Sequence, residues 1–493
     1  MMPVVFAAIL RFARRMLVAV PAGLLALAIG AWGYFVFDGP EPQPWHRASL
    51  DREFRADRAS EIRSIADYRR LEDGLFAQLQ DEIYARTGPA TESPFNRYAR
   101  GSHSDPEIWP VNWNRTFEIR PTDPVGGAVL LHGMSDSPYS LRSIGAELGA
   151  RGLQVVGLRL PGHGTAPSGL LSFRVEDMEA ATRIAMRDLR RQLGPDKPIY
   201  LVGYSNGAAL AVSYAVSVQE GEPLPRAAGL VLISPAIGVS RLAMIGRVRL
   251  GVSELPGCGR AAWSEIALEV DPFKYQSFTF HAGGEVQRLT SHLARRVDRL
   301  AKGGALAGFP PVLAFLSTVD STIRADAVVD ALLGRLPPGS SELVLFDVNR
   351  SAAAQSLLVD DPGPLTGRLL ALPQRPFALT VITNVDSSTR QVKELRAAAL
   401  TGRQTETPLD LQWPRGVFSL SHLALPFPPD DPLYGSETAE AREHVQLGRL
   451  EVRGENGVLR LPTWMLIRQR SNPFHAYMLR RIDEFVSRPI PGN

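Results

Sequence analysis

Residues 198–215 read PIYLVGYSNGAALAVSYA. The apolar run from Ile199 to Val202 predicts a buried strand, and the small residues from Ala208 onward predict a helix. Between them stands Gly-Tyr-Ser-Asn-Gly, a G-x-S-x-G pattern at a sharp turn from strand to helix. Such a turn strains the backbone at Ser205 and exposes its hydroxyl, while the two glycines prevent Cβ collisions. The stretch therefore predicts Ser205 as a nucleophile, with a purely structural tight turn as the alternative.

The composition is that of a globular protein of 493 residues, 45% hydrophobic and 21% charged. This length suits one large α/β domain with insertions, or two domains. The net charge of +3 is accounted for by Arg11, Arg14 and Arg15, because the rest of the chain has 51 basic and 51 acidic residues. Nothing in this balance predicts a nucleic-acid partner. The single cysteine, Cys258, excludes an intramolecular disulfide framework and cannot form a metal cluster alone.

Residues 16–37 carry no charged side chain, and about 20 such residues span a bilayer. Trp32 and Tyr34 lie where an interfacial belt is expected, and the arginines before the segment favour a cytoplasmic N-terminus. We therefore expect a single-pass membrane anchor, with the rest of the chain on the periplasmic or extracellular side. The alternatives are a signal peptide cleaved near Ala-Leu-Ala at 26–28, or a buried soluble helix.

Residues 50–84 place apolar side chains at the spacing of an amphipathic helix, which we expect to pack on the neighbouring domain rather than on a membrane surface. Beyond Thr116, short apolar runs alternate with helical patterns, which predicts a mainly parallel sheet covered on both faces. The predicted strands are 116–120, 127–131, 153–160, 199–202, 229–233, 311–316, 342–346 and 378–384, and helices are predicted at 139–150 and 175–193.

Two loops follow predicted strands and would lie beside Ser205, because function collects at the carboxyl ends of parallel strands. In LLHGMSDS, a glycine allows close backbone approach, so the N–H of Met134 and that of Asn206 are the candidate oxyanion donors. His132 and Asp136 precede the serine and are expected to hold this loop in shape. His163, in the second loop, RLPGHGT, is also expected to be structural, since no partner stands at metal-ligand spacing.

The candidates for acid and base come later in the chain. Asp320 follows the strand 311–316, where a carboxylate can orient an imidazole, although a helix N-cap would explain it too. Of the histidines after it, His444 and His475 are predicted on surface helices. His422 lies in a loop after a short apolar strand, GVFSLSHLALP, from which a base could reach the serine; a structural loop histidine is the alternative.

Five motifs together resemble the α/β-hydrolase superfamily, nearest to the monoacylglycerol lipase/lysophospholipase-like serine hydrolases. They are LLHGMSDSP, LRLPGHGTAP, VGYSNGA, the strand that ends before Asp320, and SHLALPFPPDDPLYG. The resemblance covers about residues 127–320 and the region of His422. It implies an α/β-hydrolase fold, a triad of Ser205, Asp320 and His422, and acyl transfer to water through an acyl-enzyme. No metal or organic cofactor is required by this chemistry.

The chain departs from the family pattern in two places. The histidine usually follows the acid by one helix and one strand, but the strand 342–346 ends without a histidine. An insertion over 351–410 is expected to contain a further strand and a helix. It also contains Asp386 in Val-Asp-Ser-Ser, which resembles the Val-Asp-Ser-Thr around Asp320. Asp386 is therefore an alternative acid. Asn206 replaces the smaller residues that are common after the nucleophile, a change that leaves its N–H available.

The segment after the fifth predicted strand stands where this family inserts a cap. Apolar residues that could cover an acyl group are Leu242, Met244, Ile245, Val248 and Leu250; aromatic residues that could line an acyl channel or simply pack in the core are Phe273, Tyr275, Phe278 and Phe280. The expected organisation is 1–15 basic, 16–37 transmembrane, 38–115 linker and helical extension, 116–239 core, 240–309 cap, 310–350 core, 351–410 insertion, and 411–493 histidine loop and final core.

With the anchor and the cap, the resemblance predicts a membrane-anchored hydrolase of small-molecule or lipid-like carboxylic esters. A peptidase or an acyltransferase could use the same residues, since these differ in the acceptor rather than in the triad. A catalytically silent, membrane-anchored binding module is the alternative from a different class.

Overall fold

The computed structural model describes residues 16–17, 19–30, 33, 40–237, 259–320, 323–339, 341–352, 363–372, 374–436, 444–448 and 470–488. The described residues of the predicted anchor are helical, and Leu17 and Leu27 are exposed. No helix in these ranges combines the length and apolar character needed to cross a bilayer. The membrane-spanning helix predicted over 16–37 is therefore not supported by the described residues. Cys258 and the apolar cap residues Leu242, Met244, Ile245, Val248 and Leu250 lie outside them.

Within the part of the chain that the structure describes, ten of twelve strands form a central sheet. The strands are β1 Phe117–Ile119, β2 Gly126–Leu131, β3 Leu153–Leu158, β4 Ile199–Tyr204, β5 Gly229–Ile233, β6 Trp263–Glu265, β7 Phe278–Thr279, β8 Val312–Ser317, β9 Glu342–Phe346, β10 Ala378–Asn384, β11 Gln391–Ala397 and β12 Gln404–Gln412. Their order is β1-β3-β2-β4-β5-β8-β9-β10-β11-β12, while β6 and β7 pair separately. In this order the strands from β3 to β10 run parallel, whereas β1, β11 and β12 add antiparallel edges. The predicted mostly parallel sheet is confirmed.

Helices cover both faces of the sheet. They are α1 Pro44–Arg47, α2 Ile65–Glu82, α3 Arg142–Ala150, α4 Val175–Leu193, α5 Asn206–Gln219, α6 Phe280–Lys302, α7 Ala325–Ala331, α8 Gly363–Ala371 and α9 His475–Val486. Side chains of α4, α5 and α6 pack with Val129 and Leu131 on one face. Those of α3 and α9 pack with Ala128 and Leu130 on the other. This alternation along β2 is what a strand buried on both sides requires.

The sheet brings the candidate residues together at the carboxyl ends of its parallel strands. Because β2, β3, β4 and β8 are parallel neighbours or next neighbours, the loops that follow them share the carboxyl end of the sheet. The loops after β2 and β3 contain Met134 and His163, Ser205 directly follows β4, and Asp320 comes just after β8. The fold thus collects residues that are far apart in the chain.

Two segments differ in secondary structure from the predictions. Residues 50–84 do not form one helix: a 3₁₀ turn, Ala56–Glu61, precedes α2. The apolar side of α2 packs into the core, as expected. The insertion contributes β11 and β12 in addition to the predicted strand. Their residues are polar and half-exposed, as expected at the side of a sheet, and an apolar pattern therefore does not reveal them.

The two histidines predicted on surface helices are only partly as expected. His475 is buried at the start of α9, with Nε2 3.2 Å from the carbonyl oxygen of Pro426. His444 lies in a bend, and its ring centre is 4.0 Å from that of Trp109. The helix predicted at His475 is present but its surface position was wrong, and the helix predicted at His444 was wrong. Nearby charged residues suggested exposure, whereas contacts with distant segments bury His475 and partly cover His444.

Candidate active site

Ser205 stands at a strained turn between β4 and α5. Its φ of 54° and ψ of −115° are rare for any residue other than glycine. A Cβ at Gly207 would overlap the carbonyl oxygen of Leu131, and one at Gly203 would overlap the backbone of Ala208. The glycines are therefore required by close packing, and the strain is held by the Ser205 N–H, which donates to the Ile233 carbonyl at 2.9 Å. Ser205 is partly exposed although its neighbours on both sides are buried.

His422 and Asp320 lie in contact. The distance from His422 Nδ1 to Asp320 Oδ2 is 2.8 Å, and both side chains are largely buried. The other oxygen of Asp320 accepts the N–H of Ile323 at 2.9 Å, which fixes the carboxylate. Tyr204, the residue before Ser205, donates its hydroxyl to the His422 carbonyl at 3.3 Å, and the two rings are 5.4 Å apart. With Nδ1 facing Asp320, Nε2 is the nitrogen left for proton transfer.

The alternative acid, Asp386, has a different environment. Its side chain is exposed, and Oδ1 accepts the N–H of Ser388 at 2.7 Å and its hydroxyl at 2.6 Å. These hydrogen bonds lower the pKa of Asp386 below its usual value. The structure therefore brings His422 to Asp320, while Asp386 caps its own turn after β10.

The loop after β2 packs directly against the serine turn. A Cβ on Gly133 would come within 3.3 Å of the Ser205 Cβ, so only glycine allows this approach without displacement. Within the described residues, the backbone N–H groups of Met134 and Asn206 donate to no other protein group. The Asn206 side chain turns away, with Nδ2 3.5 Å from Met178 Sδ. In this part of the structure, the N–H groups of Met134 and Asn206 are thus available to donate hydrogen bonds to a substrate oxygen, and they lie on the two segments that meet at Ser205.

His132, His163 and Asp136 are buried side chains whose hydrogen bonds hold the loops after β2 and β3 in place. His132 accepts the N–H of Leu160 at Nε2, at 3.0 Å, and Nδ1 lies 2.8 Å from the Gly133 carbonyl. Burial lowers the pKa of His132 well below its usual value and that of His163 to about 4, so both rings are neutral near pH 7. Asp136 accepts the Ser137 N–H, and burial raises its pKa to about 6. All three side chains hold loops together.

The described part of the predicted cap adds one residue that no sequence pattern indicated. Lys274 Nζ lies 3.5 Å from the Met134 carbonyl oxygen, so a positive charge stands beside this loop. Its neighbours Phe273 and Tyr275 are core residues rather than channel walls: Phe273 stacks on Tyr139, and the Tyr275 hydroxyl accepts the N–H of Thr165. In the described portion of the chain, no three potential metal-ligand side chains converge.

Residues 122–330 match the family model Hydrolase_4, described as serine aminopeptidase S33. Among curated proteins, no sequence matches the chain. Similar solved structures include one described with the metagenome-derived lipolytic enzymes LipS and LipT, at 20% identity and a TM-score of 0.38, covering 48% of this chain and 88% of the other. The monoacylglycerol lipase of Paleococcus ferrophilus is 17% identical with a TM-score of 0.35, covering 47% and 88%. The monoglyceride lipase of Saccharomyces cerevisiae is 13% identical with a TM-score of 0.36, covering 47% and 82%.

The family match and the architecture agree. The matched residues contain the strands from β2 to β8, the serine turn and Asp320. The strained turn between β4 and α5 is the feature that presents a nucleophile in this fold. The match over residues 122–330 and the mostly parallel sheet support the predicted resemblance of this part of the chain to the α/β-hydrolase serine hydrolases.

Proposed function

We propose that the chain hydrolyses carboxylic esters with lipid-like acyl groups through Ser205, His422 and Asp320. The observation that supports this most directly is the 2.8 Å contact between His422 and Asp320 at the carboxyl end of the sheet, where Ser205 is partly exposed. A buried carboxylate on Nδ1 holds the imidazole in the tautomer that accepts a proton at Nε2, and it stabilises the imidazolium that forms.

In the first half of the proposed reaction, Ser205 Oγ attacks the ester carbonyl while His422 Nε2 takes its proton. The N–H groups of Met134 and Asn206 stabilise the oxyanion of the tetrahedral intermediate, aided by the N-terminus of α5. Collapse of this intermediate expels the alcohol, which receives the proton from His422. In the second half, His422 activates water, which attacks the acyl-enzyme and releases the carboxylic acid and Ser205. This chemistry requires no metal or organic cofactor.

An aminopeptidase is the second candidate, because the matched family model has that description. Such a substrate presents a positively charged α-ammonium next to the scissile bond. Lys274, 3.5 Å from the Met134 carbonyl, would repel this charge, whereas it attracts the oxyanion and tolerates a neutral acyl group. The position of Lys274 therefore favours ester over aminopeptide substrates.

A fluorophosphonate probe and paired chromogenic substrates test this proposal. We expect the probe to label Ser205, and p-nitrophenyl esters to be cleaved with a kcat/KM at least about 100-fold above that for aminoacyl p-nitroanilides. The reason is that Lys274 opposes the α-ammonium, so Lys274→Met should narrow the difference. Faster cleavage of the anilides by the wild type would establish the peptidase instead. Ester turnover that yields mainly a new ester when glycerol is added would identify an acyltransferase, and folded protein that is not labelled would indicate a silent module.

We also propose that residues 16–37 anchor the protein in a membrane, with the N-terminus cytoplasmic and the hydrolase on the opposite side. This part rests on the uncharged segment after Arg11, Arg14 and Arg15, and on the exposure of apolar side chains such as Leu24 and Leu27.

Alkaline carbonate extraction of the full chain tests the anchor. We expect the protein to remain in the membrane pellet. Alkaline carbonate releases proteins that charge attraction holds at the membrane surface, but it does not extract a segment of 22 uncharged residues buried in the bilayer. The matched control is Leu24→Arg with Leu27→Arg, since each central arginine costs about 3 kcal/mol of insertion free energy. The control should appear in the supernatant. A wild type that is released equally would contradict the anchor.

A further inference from the structure

Arg159, which follows β3, is held by two carboxylates from outside the family-matched residues. Its Nη2 and Nη1 lie 2.8 and 2.9 Å from the two oxygens of Glu53, and its Nε lies 2.9 Å from Glu72 Oε1. Arg159 is fully buried, and Glu53 and Glu72 are nearly so. Both glutamates precede residue 122, where the family match begins. A segment that the family model does not include is thus joined to the hydrolase core by a buried, bidentate ion pair.

The same cluster binds the backbone of the loop after β3. Glu53 Oε2 also accepts the N–H of Gly162 at 2.9 Å, and Arg159 Nη1 donates to the His163 carbonyl at 3.0 Å. Tyr68, on α2, donates its hydroxyl to the Arg159 carbonyl at 3.0 Å. The path of the loop from Arg159 to His163 is therefore set by side chains of the N-terminal extension.

This loop in turn contacts the loop that contains Met134. The Leu160 N–H donates to His132 Nε2 at 3.0 Å, and His163 Nε2 lies 3.2 Å from Met134 Sδ. The loop packs closely on the residues before β1, because a Cβ at Gly164 would overlap the carbonyl oxygen of Asn114. A continuous set of contacts therefore runs from Glu53 through the second loop to the Met134 side chain.

Charge makes this connection sensitive to a single substitution. Burial disfavours ionisation of Glu53, but Arg159 and the Gly162 N–H hold the pKa of Glu53 below its usual value. Burial raises the pKa of Glu72, so Glu53 is the more readily ionised of the two carboxylates that contact Arg159. Neutralising Glu53 would remove the bidentate counter-charge of a buried guanidinium and leave Glu72 as its remaining carboxylate partner, so the loop held by Glu53 would be expected to shift.

We propose that Glu53 and Arg159 are positioning residues that set the place of the Met134 N–H, so that the N-terminal extension completes the oxyanion site of the hydrolase core. This inference rests on the proposed function, in which Met134 is an oxyanion donor. A donor displaced by a fraction of an ångström stabilises the transition state less and leaves substrate binding nearly unchanged.

Glu53→Gln tests the proposal, because glutamine retains the shape of the side chain and removes its charge. The measurements are kcat and KM for a p-nitrophenyl ester, and the inhibition constant of a trifluoromethyl ketone, whose adduct with serine places an oxyanion in the site. We expect kcat to fall about 10-fold or more and the inhibition constant to rise by a similar factor, with KM changed less than about twofold.

Asp188→Asn is the matched control. Asp188 is also buried, pairs with Arg191, and joins the extension to the core by accepting the Ile65 N–H at 2.8 Å, but on α4. We expect it to lower the melting temperature as Glu53→Gln does, with kcat and the inhibition constant unchanged. If Glu53→Gln does not fold, Glu53→Asp is the second test. It retains the charge, but its shorter side chain moves the carboxylate oxygen away from the Gly162 N–H. We expect it to lower kcat by less than the roughly 10-fold expected for Glu53→Gln, with KM unchanged.

Equal kcat and inhibition constants for wild type and the folded Glu53 variants would overturn the positioning role and leave the proposed function intact. The positioning role is also refuted if Asp188→Asn loses as much kcat as Glu53→Gln, because the loss would then come from general destabilisation. Failure of the proposed function has a different signature: the wild type itself would neither be labelled at Ser205 nor bind the ketone as a serine adduct.

Discussion

Ser205→Ala is expected to lower kcat for ester hydrolysis by at least about 10⁴-fold and to abolish labelling by a fluorophosphonate. The hydroxyl forms the covalent bond to the acyl group, and within the proposed mechanism no other group can take this step. The activity that remains should come from the oxyanion donors and substrate binding, which act on water without an acyl-enzyme. Steady-state kinetics and mass spectrometry of the labelled peptide measure both effects.

Ser213→Ala is the matched control for this substitution. Ser213 lies on α5, two turns beyond Ser205, and its hydroxyl donates to Glu179 at 2.6 Å. We expect its loss to reduce the free energy of unfolding by about 1 kcal/mol without a change in kcat. Ester hydrolysis by Ser205→Ala at the wild-type rate, or a label on a different serine, would refute the assignment of the nucleophile.

Substitutions of the two acid candidates and the base should produce unequal losses. We expect His422→Ala and Asp320→Asn each to lower kcat by about 10³- to 10⁴-fold, and Asp386→Asn to change it by less than about twofold. His422 is the proposed proton acceptor, and the amide of asparagine would present the wrong partner to Nδ1. Asp386 is exposed and hydrogen-bonded within its own turn. The kcat values are to be measured with the same ester for all three variants.

The pairing of His422 with Asp320 also predicts non-additive effects. Because both residues serve one proton transfer, the double variant His422→Ala with Asp320→Asn should lose little more kcat than His422→Ala alone. Circular dichroism of each variant checks that the fold persists. A large loss for Asp386→Asn with near-normal activity for Asp320→Asn would reverse the choice of acid.

The sequence pattern predicted those helices and strands that are determined by their own apolar residues. The helix Val175–Leu193 and the strand Gly229–Ile233 begin and end where their apolar patterns do, because each is buried by a continuous face or run. The pattern does not indicate β12, because its side chains are largely exposed and polar, so neither apolar periodicity nor length distinguishes it from a loop. This strand exists because β11 offers a partner edge, which is a property of the tertiary structure.

Residues 50–84 do not form one helix for a similar reason. Glu53 is drawn into the interior by Arg159, a residue more than one hundred positions away, and this contact outweighs the local helical pattern. The helix begins only after Ser64, whose hydroxyl accepts the Asp67 N–H as an N-cap. The charged residue directly before Leu-Pro-Gly-His-Gly is visible in the sequence, but nothing local reveals its partners.

The sequence predicted which residues of the candidate site follow the strands, but it did not predict which of these residues contact one another. The parallel pattern alone places Ser205 and Asp320 at one edge of the sheet. The proximity of His422 to Asp320, rather than to Asp386, depends on the path of the chain after β12. Lys274 could not be predicted because a single lysine in a loop has no sequence signal, and its meaning comes only from the Met134 carbonyl beside it.

The chain order of these parts also bears on biosynthesis. A polypeptide that leaves the ribosome N-terminus first would contain Ser205 long before His422, and α9, which packs against β8, would come after both. Under the proposed mechanism, a partly made chain possesses a nucleophile without a base. Docking of the segment that contains His422 would therefore activate the enzyme, and a nascent chain that has not reached this point would not hydrolyse esters.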